Sequence, residues 1–268
     1  MTSNDIAPDS SPAINTQPPK MAVLGGIYSF DWAHEKVHIT LERLREDSKR
    51  TVTADITVKG NPEGHMHLTK LNLLATRSRT EITKYLRERC QRNRDWDAII
   101  EQVCVMTLQQ FRAGEPVLNL GDLNPPLEPI YRLYPWVVDL EPSIIYGEGG
   151  IGKSYLAGFM AAMVDQAIAT EYCRPMPGKV LYLDFETTSE TAARRFQALT
   201  KGFGFEGKSN VIYRFCHQSL ASDISEIQKI VAQENVALII VDSAGPACGG
   251  DPETAASAIS YFTALRSL

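Results

Sequence analysis

"SIIYGEGGIGKSYLAGF", Ser143–Phe159, is the stretch on which the fold turns. Its centre, Gly147 to Ser154, satisfies GxxxxGK[ST] in full, with an apolar run before it and a helix-forming run after it. That spacing has a physical reason. Phosphate oxygens must come within hydrogen-bond distance of successive main-chain N–H groups, so side chains there must be small, which Gly149, Gly150 and Gly152 provide. The positive end of the following helix adds to the field. Lys153 is then placed for the β- and γ-phosphates of a nucleotide and the Ser154 hydroxyl for Mg²⁺. Gly147, Glu148, Ile151 and Tyr155 complete the expected nucleotide-binding segment.

Working outward, short apolar runs separated by helical stretches follow the loop: "KVLYLDF", "VIYRF" and "VALIIVD". With "SIIYG" they describe a parallel sheet buried on both faces. Asp242 ends the most apolar of these runs, where open α/β sheets place ligand chemistry, and is the expected metal-water carboxylate. A simple turn cap is the competing reading. Ser243 follows it, so an Asp-Glu pair is absent there; "VLYLDFETT" instead offers Asp184 and Glu186, which alternation puts on one side of the chain. Glu186 is the expected base that prepares water for attack, against the alternatives of a cap or a salt bridge. Helix starts are expected at Thr187 with Glu190, at Asp223 with Glu226, and at Asp251-Pro252.

"GEGGIGKSYLA", "VLYLDFETT" followed by paired arginines, and "IIVDSAGPACGGDPETA" together resemble the RecA-like P-loop ATPases, in particular the RepA-type hexameric helicase family of plasmids, phages and mobile elements. The resemblance covers about residues 143 to 268. It implies ATP and Mg²⁺ as cofactors, Glu186 as catalytic base together with Lys153, a hexameric homo-oligomer, and a role in DNA replication. It also implies later core strands, a polar sensor and an arginine finger, which would lie past Leu268, so a truncated domain is expected here. Such an arginine is worth about 10³ to 10⁵ in rate in related chemistry.

Upstream, "KVHITLERL" and "TVTADITVKG" alternate as half-buried strands, "NPEG" makes a turn, and "HMHLTKLNLLA" is a third strand. Helical spacing follows, through Ile82, Tyr85 and Leu86, then through Ile99, Ile100, Val103, Cys104, Leu108 and Phe111. The expected organisation is a disordered tail over 1–20, a small α+β domain over 21–115, a linker over 116–142, and an α/β domain with a mostly parallel RecA-like core over 143–268, incomplete at its C-terminus. Pro116, Pro125, Pro126, Pro129, Pro135 and Pro142 set the linker apart as poor in regular structure.

A net charge of −5 excludes a uniformly basic nucleic-acid coat. One segment runs the other way. Lys70, Arg77, Arg79, Lys84, Arg87, Arg89, Arg92 and Arg94 stand against only Glu81 and Glu88, either a DNA or RNA contact or a solvated helix face. Five scattered cysteines without a CxxC pair fit a reducing, cytoplasmic compartment, and the apolar run after Lys153 is too short to cross a membrane. "HEKVH", His34–His38, matches a zinc-peptidase pattern that needs a helix; strand alternation through Val37 would part the histidines by about 13 Å. A nucleotide-switched adaptor with little turnover is the alternative to a motor.

Overall fold

The computed structural model describes residues 17–90, 92–114, 117–204 and 208–268. Most of the tail expected over 1–20 lies outside them, as does Pro116 of the expected linker. The chain divides into two compact units, Met1–Val117 and Leu118–Leu268.

In the first unit five strands form an antiparallel meander in sequence order: β1 (Lys20–Leu24), β2 (Ile27–Trp32), β3 (Val37–Glu46), β4 (Val52–Gly60) and β5 (Gly64–Asn72). Register decides which side is wet. Phe30 faces Ile39, which faces Val58, and all three are fully buried, while Ser29, Thr40 and Thr57 form the corresponding row on the other side. Period-two alternation is thus realised across neighbouring strands. α1 (Thr76–Arg89) and α2 (Trp96–Ala113) cover the apolar face with Ile82, Leu86, Trp96, Ile99, Ile100, Val103 and Cys104. Asp95 caps α2 by accepting from the Ala98 N–H at 3.1 Å. β1 and β2 are not among the expected strands; Gly25 and Gly26, with φ of +56° and +71°, turn the chain between them.

Half of the cations of the basic segment are paired inside this unit. The Arg94 side chain is buried and grips the Glu63 carboxylate with two donors, at 3.0 and 3.4 Å, while its Nε donates to the Glu35 carbonyl. Arg77 pairs with Glu81, Arg79 with Glu101 and Arg87 with Asp97. Among the described residues Lys70, Lys84, Arg89 and Arg92 are in no ion pair. His38 lies in β3 with His34 before it in a turn, so the zinc pattern does not sit on a helix.

In the second unit the segment expected to be irregular contains β6 (Tyr131–Tyr134) and β7 (Val137–Val138), a hairpin joined by β8 (Arg174–Pro175) in a small antiparallel sheet. Its prolines flank the strands or occupy the tight turn, where a missing N–H costs nothing. The main sheet is parallel, in the order β10–β9–β11, built from β9 (Lys179–Asp184), β10 (Ile212–Phe215) and β11 (Val236–Asp242). α3 (Lys153–Gln166) and α4 (Ser189–Gly202) meet one face at Val180 and Tyr182; α5 (Leu220–Glu234) and α7 (Ala255–Arg266) meet the other at Leu181 and Leu183. α6 (Ala244–Ala247) is a single turn after β11. Burial on both faces explains the unbroken apolar run of β9.

Two expectations fail here. Ser143–Tyr146 forms no strand: Ile144 is 63% and Tyr146 90% exposed, and no partner strand supplies the neighbour that a parallel strand needs. The helix caps also shift. Thr188, not Thr187, caps α4, because the Thr187 N–H and hydroxyl both go to Asp184. Ser219 caps α5 while Asp223 pairs with Arg214, and Thr254 caps α7 after a turn made by Asp251.

Candidate active site

The loop from Gly147 to Gly152 reaches α3 through two backbone conformations that side chains rarely take, φ +78° at Gly150 and +96° at Gly152. A Cβ at Gly149, Gly150 or Gly152 would meet nothing within 4 Å, so the loop borders open space. At Gly147 the constraint is different: a Cβ would strike the Ile151 side chain. Gly152 is the N-cap of α3; no side chain caps that end and no acidic residue stands in the first turn. The helix therefore presents uncompensated N–H groups and its positive end to the same space. Lys153, the first residue of α3, donates from Nζ to the carbonyls of Gly147 at 2.8 Å and Glu148 at 2.7 Å, tying the loop to its own helix.

Across from the loop stands the C-terminal end of the parallel sheet. Asp242 closes β11 with its side chain only 12% exposed. Its Oδ1 accepts from the Ser154 hydroxyl at 3.0 Å, and its Oδ2 accepts from the Tyr182 hydroxyl at 2.6 Å. Burial, and after it the Asp242 carboxylate, pushes the Tyr182 hydroxyl well above the usual phenol range, which keeps Tyr182 a permanent donor. Arg195 approaches the same Oδ2 to 3.7 Å and lies over the Tyr155 ring, 5.1 Å from its centroid.

Asp184 and Glu186 part company. The strand ends at Asp184, whose buried carboxylate accepts from the N–H groups of Glu186 at 2.9 Å and Thr187 at 2.8 Å, from the Thr187 hydroxyl, and from Tyr213 at 3.3 Å. Burial and then Asp184 raise the Tyr213 hydroxyl to about 12, so it too remains a donor. Asp184 thus shapes the turn that presents the exposed Glu186, which accepts from the Ser243 hydroxyl. Alternation stops being a guide once the chain leaves the sheet.

These groups enclose one cleft of about 380 Å³, within the usual size of small-molecule sites. Of the expected residues, Gly149, Gly150, Gly152, Lys153, Ser154, Tyr155, Glu186 and Asp242 border it. Gly147 and Glu148 act behind the wall through their carbonyls, and Ile151 is 63% exposed outside it. Arg195 and Ser243 border it as well, and Tyr182 supports it from below. Sequence spacing carries a signal for Arg195 only in retrospect: with Ala192, Phe196 and Leu199 it falls on the inner face of α4, whereas Arg194 is exposed.

Among the described residues no cluster of three or more His, Cys, Asp or Glu could hold a metal by itself. A hard cation held by one hydroxyl, one carboxylate and substrate phosphates needs no such cage, and the oxygen pair of Ser154 and Asp242 fits that donor chemistry. Among the described residues no helix is long and apolar enough to cross a membrane.

No curated protein matches the sequence. A family model described as an AAA domain matches residues 109–268, more than half of the 268-residue chain. That match spans the glycine loop, β9 and β11, so the carboxylates and the lysine that meet in the cleft come from the matched segment, and the chain belongs to the AAA domain family of P-loop ATPases.

Proposed function

We propose that the cleft hydrolyses ATP with Mg²⁺ and that the domain serves as the motor of a replicative DNA helicase-like protein, assembled as a homo-oligomeric ring. The observation that carries the chemistry is convergence: Lys153 and Ser154 from the start of α3, Asp242 from the end of β11, and Glu186 from the turn after β9 share one cleft. Loop N–H groups and the α3 N-terminus would take the phosphates, with Lys153 turning its three donors from loop carbonyls to phosphate oxygens. Ser154 and Asp242 would hold Mg²⁺, which when bound supplies charge neutralisation at the phosphates. Tyr182 fixes the Asp242 carboxylate. Glu186, an exposed carboxylate on the cleft wall, would orient water and accept its proton.

A Lys153→Ala variant is expected to lose nucleotide binding, measured by calorimetry; unchanged affinity would remove the phosphate cradle. Glu186→Gln should keep binding and lose turnover by about 10²- to 10⁴-fold, the usual worth of a positioned base. Equal turnover would move the base elsewhere. A second reading, a nucleotide-switched binding module, is favoured by the internal pairing of Arg77, Arg79, Arg87 and Arg94. Stimulation of turnover by single-stranded DNA separates the two, since only the motor responds.

A further inference from the structure

Glu186 stands past the end of β9 with its side chain exposed, and among the described residues its carboxylate takes one hydrogen bond, from the Ser243 hydroxyl. Where that carboxylate lies in the cleft is therefore set mainly by the backbone that carries it. Several hydrogen bonds fasten that backbone. The Phe185 N–H donates to the Asp242 carbonyl at 2.8 Å. Oδ1 of the buried Asp184 accepts from the N–H groups of Glu186 and Thr187. Tyr213 of β10 completes the set: its hydroxyl lies 2.9 Å from the Thr187 carbonyl and 3.3 Å from Asp184 Oδ2.

The Tyr213 contact differs from the others in its origin. β9 and β11 both end at the cleft, whereas β10 supplies none of the residues that border it. The Tyr213 ring pairs in register with Tyr182 and packs on the α3 and α4 side of the sheet, a task that a phenylalanine ring could perform. Packing does not explain the hydroxyl. Among the described residues its partners are the carboxylate that begins the turn and the carbonyl that follows Glu186, so one O–H group closes the turn around that residue.

Resting on the reading of Glu186 as the base of an ATPase, we propose that Tyr213 is a positioning residue for that base: its hydroxyl bridges Asp184 and Thr187 and holds the turn that sets the Glu186 carboxylate in the cleft. β10 thereby acts on turnover without bordering the cleft. Nucleotide binding, which belongs to the glycine loop and the start of α3, does not pass through this contact.

The test is a double-mutant cycle on the full chain, with ATP turnover in Mg²⁺ measured for wild type, Tyr213→Phe, Glu186→Gln and the double variant. Tyr213→Phe removes one oxygen and keeps the ring. Its kcat should fall about 10- to 100-fold, since a misplacement of about 1 Å costs about 10²-fold, while calorimetric affinity for the non-hydrolysable imido analogue of ATP stays at the wild-type value. On the Glu186→Gln background the same substitution should add no further loss, because no base is left to position. An equal loss on both backgrounds, or none on either, overturns the assignment. Hydrogen exchange of the nucleotide-free chain gives a readout that needs no turnover: the Glu186 and Thr187 amides should exchange faster in Tyr213→Phe, with α5 protected as in wild type. Unchanged exchange in the turn overturns the assignment as well. If Tyr213→Phe fails to fold, Asp184→Asn carries the same comparisons, keeping one acceptor for the N–H groups and losing the oxygen that faces Tyr213. Failure of both to fold makes the contact one of stability alone and ends the proposal. Glu186→Gln turning over like wild type, or a wild type without turnover, removes the hydrolysis reading itself, an outcome distinct from a failure confined to Tyr213.

Discussion

Glu63 shows how much one side chain can hold. Arg94 brings a full charge into the first unit with none of its side chain exposed, and the Glu63 carboxylate is its counter-charge. Hydrogen bonding from Arg94 holds the Glu63 carboxyl down at about 2 against an ordinary value of 4.5. The folded value is depressed, so its contribution is complete above about 4.5 and disappears as pH falls toward about 2. Denaturant unfolding of Glu63→Gln at neutral pH should show a loss of about 3–5 kcal/mol, because the buried guanidinium loses its partner. The variant should also lose less stability than wild type on going from pH 5 to pH 2. At this scale the site is unevenly legible. Gly150 and Gly152 are readable because backbone geometry admits few other residues there, and Asp242 because it ends an apolar strand. Tyr182 and Arg195 are not, since each meets the site beside a carboxylate far along the chain.

Elements are legible where burial sets a period. Alternation marks β3 and β4, and the helical spacing of Ile99, Ile100, Val103 and Cys104 marks α2, because a single core enforces both. Caps are harder: several hydroxyl and carboxylate residues compete at the start of α4, and a neighbour, Asp184, decides by claiming Thr187. The basic segment from Lys70 to Arg94, five of whose cations lie on α1, is a stretch whose composition leaves two readings open. Eight cations suggest a nucleic-acid face, yet half of them are bound within the unit. Lys70, Lys84, Arg92 and Arg89, the last over the Tyr85 ring at 4.5 Å, remain for an outside phosphate. Under the motor reading, Arg89→Glu with Arg92→Glu should weaken DNA binding and lower the salt slope by about 2, one for each cation removed. Fluorescence anisotropy across a salt series measures it. An unchanged slope assigns Arg89 and Arg92 to solvent.

For the whole molecule, two compact units, the first with one core cluster and the second with one on each face of its parallel sheet, predict two thermal transitions. ATP with Mg²⁺ at about 100 times its dissociation constant adds about 2.7 kcal/mol to the unit that binds it. Calorimetry should therefore show one transition rising and the other unmoved; a single transition that rises as a whole would show that the units unfold together. The change in sequence pattern near the prolines falls close to the boundary between the two units at Val117 and Leu118. The hairpin of β6 and β7 was not, because its strands are short and its third strand, β8, comes from beyond the phosphate loop.

β11 joins β9 along one side, and among the described residues no strand lies along its other side. Seven residues, six of them apolar, there offer main-chain donors and acceptors in strand geometry. An open margin of this kind is a template for any extended segment that reaches it. The same strand that aims Asp242 into the cleft thus also carries a margin of the kind that natural sheets guard with a lysine or a proline.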